Sequence, residues 1–451
     1  MPDDDKGSAP TGKAVVAGGG LAGLAAAYRL ANLGWTVTVL EKEPEAGGRC
    51  RTAGADGFLF DTGAQHCRDS YDATLKTAIE LALGERFRVP IASKGLYRAA
   101  GVEPFVPRSA RSVAQLPWRV LGARGLFEVP SAVMPLFRKY RSYNIRFPGW
   151  WTGGDLETAD AFLDRRASRD YKSALAEPLA LYAIGAELDR ISAAGLMVAT
   201  RVTFADRTVS FTTGMGSLAA ALALKVDVET GTQVTGVLVE GGAAVGLKAR
   251  PARGGRSRSY SAELVVCALP APHVVGICGT LGSAARTAIE KARYSAAVVV
   301  NLAYARAAGG VAGPVMLPGS EGFQASWASS NASKADEHAP AGGSVVTVVF
   351  SGRRAEALLE NDDGVLADLA VCEASRLYNL DGSRPVGLRV DRHHLGRPEV
   401  SPGHSARVRG LIEQGSGVAN LLLAGDWTTS PTVEGAVSSG FAAAERAGAP
   451  G

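Results

Sequence analysis

The stretch from Lys13 to Thr52, KAVVAGGGLAGLAAAYRLANLGWTVTVLEKEPEAGGRCRT, constrains the fold of this chain more than any other. The apolar run Ala14–Ala17 predicts a short buried strand, and Gly18, Gly20 and Gly23 follow it in G-x-G-x-x-G spacing. Leu21 to Leu33 predicts an alanine-rich helix ended by Gly34. Thr36 to Leu40 predicts a second strand, with Glu41 at its carboxyl end. In such a unit the first glycine permits the tight turn. The second lets backbone approach a pyrophosphate, and the third lets helix and strand pack closely. Unpaired N–H groups and the dipole at the helix N-terminus favour the diphosphate. Glu41, eighteen residues after Gly23, stands where an acid can accept hydrogen bonds from ribose hydroxyls. A lone glycine pattern is common, and the competing reading is a βαβ unit that binds nothing; here strand, turn, helix, strand and acid arrive in order.

Six residues after Glu41 comes Gly47-Gly48-Arg49, and Thr52 closes a G-G-R-x-x-T pattern. Two glycines expose further N–H groups, and an arginine can pair with phosphate; a nicotinamide site does not need this second clamp. The pattern resembles the FAD-binding amino terminus of the flavin amine oxidase superfamily, in its protoporphyrinogen oxidase and phytoene-desaturase-like branch, which includes hydroxysqualene dehydroxylase-like proteins. A second motif carries the same resemblance. Asn420 to Ala444 reads NLLLAGDWTTSPTVEGAVSSGFAAA: a buried strand over Leu421–Ala424, a Gly425-Asp426 turn, and a helix from Val433. The two motifs stand almost at opposite ends of the chain.

The resemblance implies an α/β fold: a Rossmann-like FAD-binding domain of the GR2 type, mixed with strands from distant segments, and an interleaved α+β substrate domain. The corresponding division is a flexible tail over 1–12, an FAD domain of 13–90, 205–275 and 395–451, and a substrate domain of 91–204 and 276–394. It implies FAD contacts from Gly18, Gly20, Leu21, Ala22, Gly23, Glu41, Lys42, Gly48 and Arg49. The loop Gly63, Ala64 and Gln65 would pass the flavin, and Val234 would offer backbone to the adenine. Gly425 and Asp426 match positions near the ribityl phosphate. Thr432, Val433 and the helix start to Gly435 would aim N–H groups at the pyrimidine end of the ring, where a helix dipole can stabilise charge arriving on reduction. Gln65 and His66 are the candidates to face substrate. His66 has a second reading, a loop histidine that only satisfies a buried polar group.

Between the motifs the pattern is coarser. Residues 70 to 84 predict a helix, and the alanine-rich segment Leu156–Met197 predicts a long one. Phe211 to Leu224 predicts a glycine turn and helix, and Val226 to Val239 alternates like strands. Glu263 to Pro272 predicts a buried strand ending in a proline turn; Tyr294–Tyr304 and Ser344–Phe350 predict strands of the substrate domain. The stretch 108–151 is different. Arg108 to Arg146 carries eight Lys or Arg and a single acid, Glu128, with Trp118, Leu121, Leu126, Phe127, Met134, Leu136 and Phe137 interleaved and Trp150 and Trp151 following. Such a surface can lie on an anionic membrane or receive an acidic substrate; the plainer reading is a solvated basic helix face over an ordinary core. No nucleic-acid recognition module accompanies it, and the net charge of +4 argues for none.

At 451 residues, 46% hydrophobic and 20% charged, the chain has the length for two cores. The longest apolar runs fall short of a membrane span, and the polar start MPDDDKGSAP has no signal-peptide core. Cys50, Cys67, Cys267, Cys278 and Cys372 are scattered, with no C-x-x-C pair. They fit reduced thiols of a cytoplasmic protein, one that is peripheral to a membrane if the basic stretch binds lipid. His393, His394 and His404 come with no carboxylate cluster, so no metal site is expected.

A flavin accepts hydride, so few catalytic side chains and a mostly apolar pocket are expected. Amine-oxidizing members of the superfamily carry a lysine in the strand matching Tyr294–Tyr304 and an aromatic residue before the last helix. This chain has Val299 and Thr432 at the matching positions. The reading is therefore a dehydrogenase or desaturase that removes hydride from a lipophilic small molecule to create C=C or C=N. Amine oxidation, a non-redox FAD-dependent isomerase or dehydroxylase, and a flavin protein without turnover stand as alternatives.

Overall fold

The computed structural model describes residues 12–88, 93–99, 101–140, 142, 144, 155–310, 313–380 and 382–449. Of the expected tail over 1–12, only Gly12 is among them, and it opens a strand. Trp150 and Trp151 lie outside the described residues. The chain divides into two compact units. The first takes the described residues up to Gly48, then Leu218–Ala292, then Arg407 onward; the second takes Arg49–Ser217 and Arg293–Ala406.

The first unit is a parallel five-stranded sheet. Strand β1 (Gly12–Ala17) is central, helix α1 (Leu21–Asn32) follows the glycine loop, and strand β2 (Trp35–Leu40) returns beside β1. The sheet order is Asp227–Glu229, β2, β1, Leu264–Cys267, Leu421–Leu423. Val16 sits level with Val39 on one side and Val266 on the other. Strands covered on both faces read as continuous apolar runs, which is why VVA, LVVC and LLL predict them. The helix Val433–Ala447 lies against α1 so closely that a Cβ on Gly440 would stand 2.3 Å from the Ala22 carbonyl oxygen. Small residues at this crossing let the backbones meet. Antiparallel strands Thr232–Glu240, Ala243–Pro251 and Arg258–Ser261 complete the unit.

The second unit is built on a seven-stranded mixed sheet, in the order Gly387–Pro398, Tyr294–Tyr304, Ser344–Ser351, Trp327–Ser330, Val315–Met316, Lys94–Arg98, Gly101–Phe105. Strand alternation sorts its two faces. Val298, Val300 and Leu302 pack with Val346, Val348 and Phe350 under the helix Asp363–Ser375, which contributes Leu366, Ala370 and Ala374. Val299, Trp327 and Val349 face the other way, into a core filled by helices between 110 and 204.

Several expectations change here. Leu156–Met197 is not one helix. It breaks into Ala159–Asp164, a segment Arg169–Ala183 with a π turn at Lys172–Ala176, and, after an irregular connection, Ala193–Phe204. Gly185, at φ +86°, ends the middle piece, and the Ser192 hydroxyl caps the last by accepting from the Gly195 N–H. The unit boundaries also fall elsewhere than at 90, 204, 275 and 394. Residues 49–88, 205–217 and 395–406 join the second unit because their partners are there: Phe58 and Phe60 pack on Ala303 and Val345, Thr208–Phe211 pairs with Cys67–Arg68, and the Ser192 N–H bonds Val400. Residues 276–292 join the first unit, where the Gly282 N–H bonds the Ser416 carbonyl. Finally, Ala110–Tyr140 spans 31 residues and is long and apolar enough to cross a membrane by length and composition, although its apolar runs are short. It is a helix pair, Ala110–Leu121 and Gly125–Tyr140, joined by a 3-10 turn over Gly122–Arg124.

Candidate functional site

The glycine loop of the first unit is shaped by contacts that only glycine tolerates. Gly18 has φ +100°, and a Cβ there would stand 2.9 Å from the Leu269 side chain. A Cβ on Gly23 would meet the Gly18 carbonyl oxygen at 1.9 Å, so helix and loop are in backbone contact at this point. Gly20 differs: a Cβ would meet nothing within 4 Å. Gly20 is the N-cap of α1, no side chain caps that terminus, and no acid stands in its first turn. Leu21 and Ala22, both buried, form that turn. An uncapped helix start beside open space is a cradle for a diphosphate.

Glu41 does more than the sequence suggests. It is buried; its Oε2 accepts from the Gly19 N–H at 2.7 Å and its Oε1 from the Glu43 N–H at 2.9 Å. The carboxylate thus ties the glycine loop to the end of β2, and each oxygen keeps a lone pair for a ribose hydroxyl. Gly19, absent from the expected set, matters because a Cβ there would lie 3.0 Å from Glu41 Cβ. Lys42 is exposed and pairs with Glu43 at 3.3 Å. Gly47 donates its N–H to the Gly19 carbonyl at 2.7 Å. Gly48 at φ +55° approaches Gly20 so that a Cβ would lie 3.3 Å from its Cα. Val234 is half-buried at a β-bulge between Val234 and Gly236, beside the Thr232 N–H that bonds the Glu41 carbonyl at 2.7 Å.

In the C-terminal motif, Gly425 (φ +147°) has no room for a Cβ, which would stand 2.7 Å from Trp427. Its N–H donates to Ser439 Oγ at 3.0 Å, and Asp426 follows, buried. Thr432 caps the last helix: its Oγ1 accepts from the Gly435 N–H at 2.9 Å. The expectation that Val433 to Gly435 all offer N–H groups is corrected at Gly435, whose N–H is consumed by the cap.

In the second unit, the loop after Phe58–Asp61 is held from below. Gly63 needs its lack of a Cβ, which would meet the Arg49 carbonyl oxygen at 2.3 Å, and the Ala64 N–H donates to the same oxygen at 2.9 Å. Arg49 Nη1 donates to the Gly396 carbonyl at 2.9 Å. Asp61 is fully buried. Its Oδ1 accepts from Thr52 Oγ1 at 2.7 Å and the Met215 N–H at 2.8 Å, while its Oδ2 faces Lys334 Nζ at 3.3 Å. Lys334 also donates to Gln65 Oε1. Gln65 Nε2 donates to the Asp61 and Gly63 carbonyls at 2.7 and 3.1 Å. Both ends of the Gln65 amide therefore bond inward, which departs from the expected substrate-facing role. Asn301 Nδ2 donates to the Asp61 carbonyl at 3.2 Å from the strand Tyr294–Tyr304. Burial lowers the Lys334 pKa and the Asp61 carboxylate opposes that shift.

His66 lies in a different setting. Its ring neighbours Trp327 (centroids 5.9 Å apart) and Tyr182 (6.1 Å). Its Nε2 is 3.5 Å from the Tyr182 hydroxyl, which accepts from Arg68 Nη2 at 3.1 Å. Burial first, and then the cations Arg68, Lys94, Lys334 and Arg397, hold the imidazole well below its usual pKa, so it is neutral at pH 7. Half-buried and aromatic-lined, His66 can donate or accept a hydrogen bond without carrying charge. His393 is a backbone fastener, with Nε2 2.7 Å from the Thr62 carbonyl oxygen. Among the described residues no cluster of His, Cys, Asp or Glu has the make-up of a metal site, and no disulfide links the cysteines.

The geometry missed from sequence is the Asp61–Lys334–Asn301 group. Asn301 is a polar break in an apolar strand, a legible signal. Lys334 sits in a polar stretch, NASKADEH, that reads as solvated loop.

Comparison with known proteins gives the following. The family described as flavin containing amine oxidoreductase matches residues 21–447. The mitochondrial protoporphyrinogen oxidase of Nicotiana tabacum is 37% identical over 101 residues, 22% of this chain and 20% of the tobacco protein. The zeta-carotene-forming phytoene desaturase of Myxococcus xanthus is 53% identical over 49 residues, 11% of this chain and 10% of the desaturase. The matched segments thus span about a fifth of the one relative and a tenth of the other. Among solved structures, a triple mutant of putrescine oxidase superposes with a TM-score of 0.75 at 15% identity, covering 97% of this chain and 98% of that one; at that identity the likeness is one of fold.

Proposed function

This chain belongs to the flavin containing amine oxidoreductase family, and we propose that within it the protein is a dehydrogenase or desaturase acting on a lipophilic small molecule. It is an FAD-dependent oxidoreductase by family. The uncapped α1 terminus, with open space at Gly20 and Glu41 braced against Gly19, fits the diphosphate and ribose of FAD. Bound there, FAD supplies a hydride acceptor.

The observation that carries the choice of substrate class is the pair of positions where amine chemistry would be expected. Val299 is buried in the apolar core of the second unit, and Thr432 is spent as a helix cap. Neither offers the lysine or the aromatic wall that the resemblance assigns to amine oxidation. The chain's own residues have simpler work in this reading. Gly63 and Ala64 are fixed on the Arg49 carbonyl. Asp61, Lys334 and Asn301 hold the loop rigid. Trp327, Tyr182 and neutral His66 give an apolar, hydrogen-bonding wall suited to a largely apolar molecule.

The test is anaerobic titration of the purified flavoprotein with porphyrinogens, polyenes and amines. Bleaching of the flavin band by a porphyrinogen or polyene, with amines inert, is the expected result. Bleaching by amines alone would overturn the reading. Turnover that requires reduced flavin yet leaves the substrate at its original oxidation level would replace it with isomerisation or dehydroxylation.

A further inference from the structure

The helix pair Ala110–Leu121 and Gly125–Tyr140 has two apolar faces, and the fold uses one. Leu116, Val120, Ala132, Leu136 and Tyr140 enter the core of the second unit. The crossing is close: a Cβ on Gly125 would meet the Pro117 carbonyl oxygen at 2.2 Å. On the second helix the buried positions 125, 132, 136 and 140 recur at helical spacing. Leu126, Phe127, Met134 and Phe137 recur on another side, between about 0° and 100° of arc when Leu126 is set at zero and each residue turns about 100°. Those four side chains are 51, 76, 52 and 45% exposed, and Trp118 on the first helix is 55% exposed. Single exposed apolar residues are ordinary; five large ones on one helix pair are not.

The charges around them have one sign. Arg111, Arg119, Arg124 and Arg138 are all exposed in this segment; Lys139 is exposed too but pairs with Glu157 at 3.6 Å, and the segment's own acid, Glu128, turns inward to accept from Ser168 Oγ at 2.8 Å. Arg138 adjoins the apolar stripe. A second copy of this chain would bring four arginines against four in a symmetric contact. An anionic bilayer meets both features at once, with headgroups for the arginines and acyl chains for the aromatic and Met side chains. The pair cannot span the bilayer while its other face fills the core of the second unit.

We propose that this face docks on the surface of an anionic membrane, with Leu126, Phe127, Met134, Phe137 and Trp118 entering the headgroup–acyl boundary and the basic residues contacting anionic lipid phosphates.

The test is co-sedimentation of the full flavin-loaded chain with vesicles of equal parts phosphatidylglycerol and phosphatidylcholine, and with phosphatidylcholine alone. Binding to the mixed vesicles only is expected, and Phe127→Ser combined with Met134→Ser should reduce it at least tenfold. Arg111→Gln, Arg124→Gln and Arg138→Gln together should do the same. Salt near 1 M, where the screening length falls to about 3 Å, should release the protein. All substituted side chains are exposed, so flavin content and thermal unfolding should match the parent and confirm folding. Equal binding to neutral vesicles, no binding to either, or binding that neither variant set weakens would overturn the proposal. So would a dimer in lipid-free solution that the Phe127/Met134 variant converts to monomer, which would make this a self-interface.

Discussion

Lys334 reaches the carboxylate of Asp61 across 273 residues of chain, Nζ 3.3 Å from Oδ2, with neither side chain open to solvent. A buried pair is costly to form and costlier to break, because removing one member strands the other charge. Lys334→Met should therefore destabilise the protein by about 3–5 kcal/mol. Lys334→Met with Asp61→Asn should cost less than the sum of the single changes. Urea unfolding of the parent, both singles and the double checks this; additive losses would show that the two groups do not depend on each other.

Gly20 and Gly23 are three residues apart and should respond to alanine in opposite ways. At Gly23 the new methyl meets backbone at 1.9 Å, so the Gly23→Ala protein should fold poorly or not at all. At Gly20 the methyl enters open space, so Gly20→Ala should change stability by no more than about 1 kcal/mol, the scale of losing a glycine N-cap. It should nonetheless lose FAD, because the methyl occupies the approach to the helix terminus. Thermal unfolding and flavin content after gel filtration separate the two outcomes.

Glu41 braces the loop through two backbone N–H groups, and those bonds to an ionised acceptor are worth roughly 1.5–3 kcal/mol each. Glu41→Gln keeps one acceptor and gives up the charge. Its dissociation constant for FAD should rise by about 10- to 150-fold, the equivalent of one such bond. Quenching of flavin fluorescence on titration into apoprotein measures the change. An unaltered affinity would mean that the carboxylate serves neither loop nor ribose.

The parts of this fold that could be read in the sequence are those set by neighbours in the chain. β1, α1 and β2 follow from a local apolar run, a glycine turn and alanine periodicity, and they appear within two residues of the expected limits. The same local reasoning fails over Leu156–Met197. High helix propensity there hides the exit at Gly185, whose conformation accompanies close packing against the Arg397 side chain from a distant strand. The unit boundary at Gly48 was hidden for a similar reason: Asp61 is held by Asn301 and Lys334, which no local pattern connects to it. A lysine among Asn, Ser and Asp reads as solvated, and only the tertiary structure supplies the buried carboxylate that keeps it inside.

His66 should leave a signature in acid. Its folded pKa is depressed, so the unfolded chain takes up the proton first, near its ordinary pKa of about 6.5. The folded state then loses stability as pH falls below that value, until the folded pKa is reached; above it the group contributes no slope. His66→Asn removes this component. Compared between pH 7 and pH 5, the variant should lose less stability than the parent. Parallel curves would contradict a His66 held neutral in the folded protein. His338 and His393, whose pKa values are also lowered by burial, are present in both proteins and cancel in the comparison.

The account rests on a diphosphate-binding helix start belonging to a flavin. The most direct measurement is the visible spectrum of the freshly purified full chain, with the cofactor released by denaturation and identified by chromatography. A flavin band and FAD in equimolar amount with protein are the expected result, with the band lost in Gly20→Ala. A colourless protein that takes up no added FAD would contradict the account at its base.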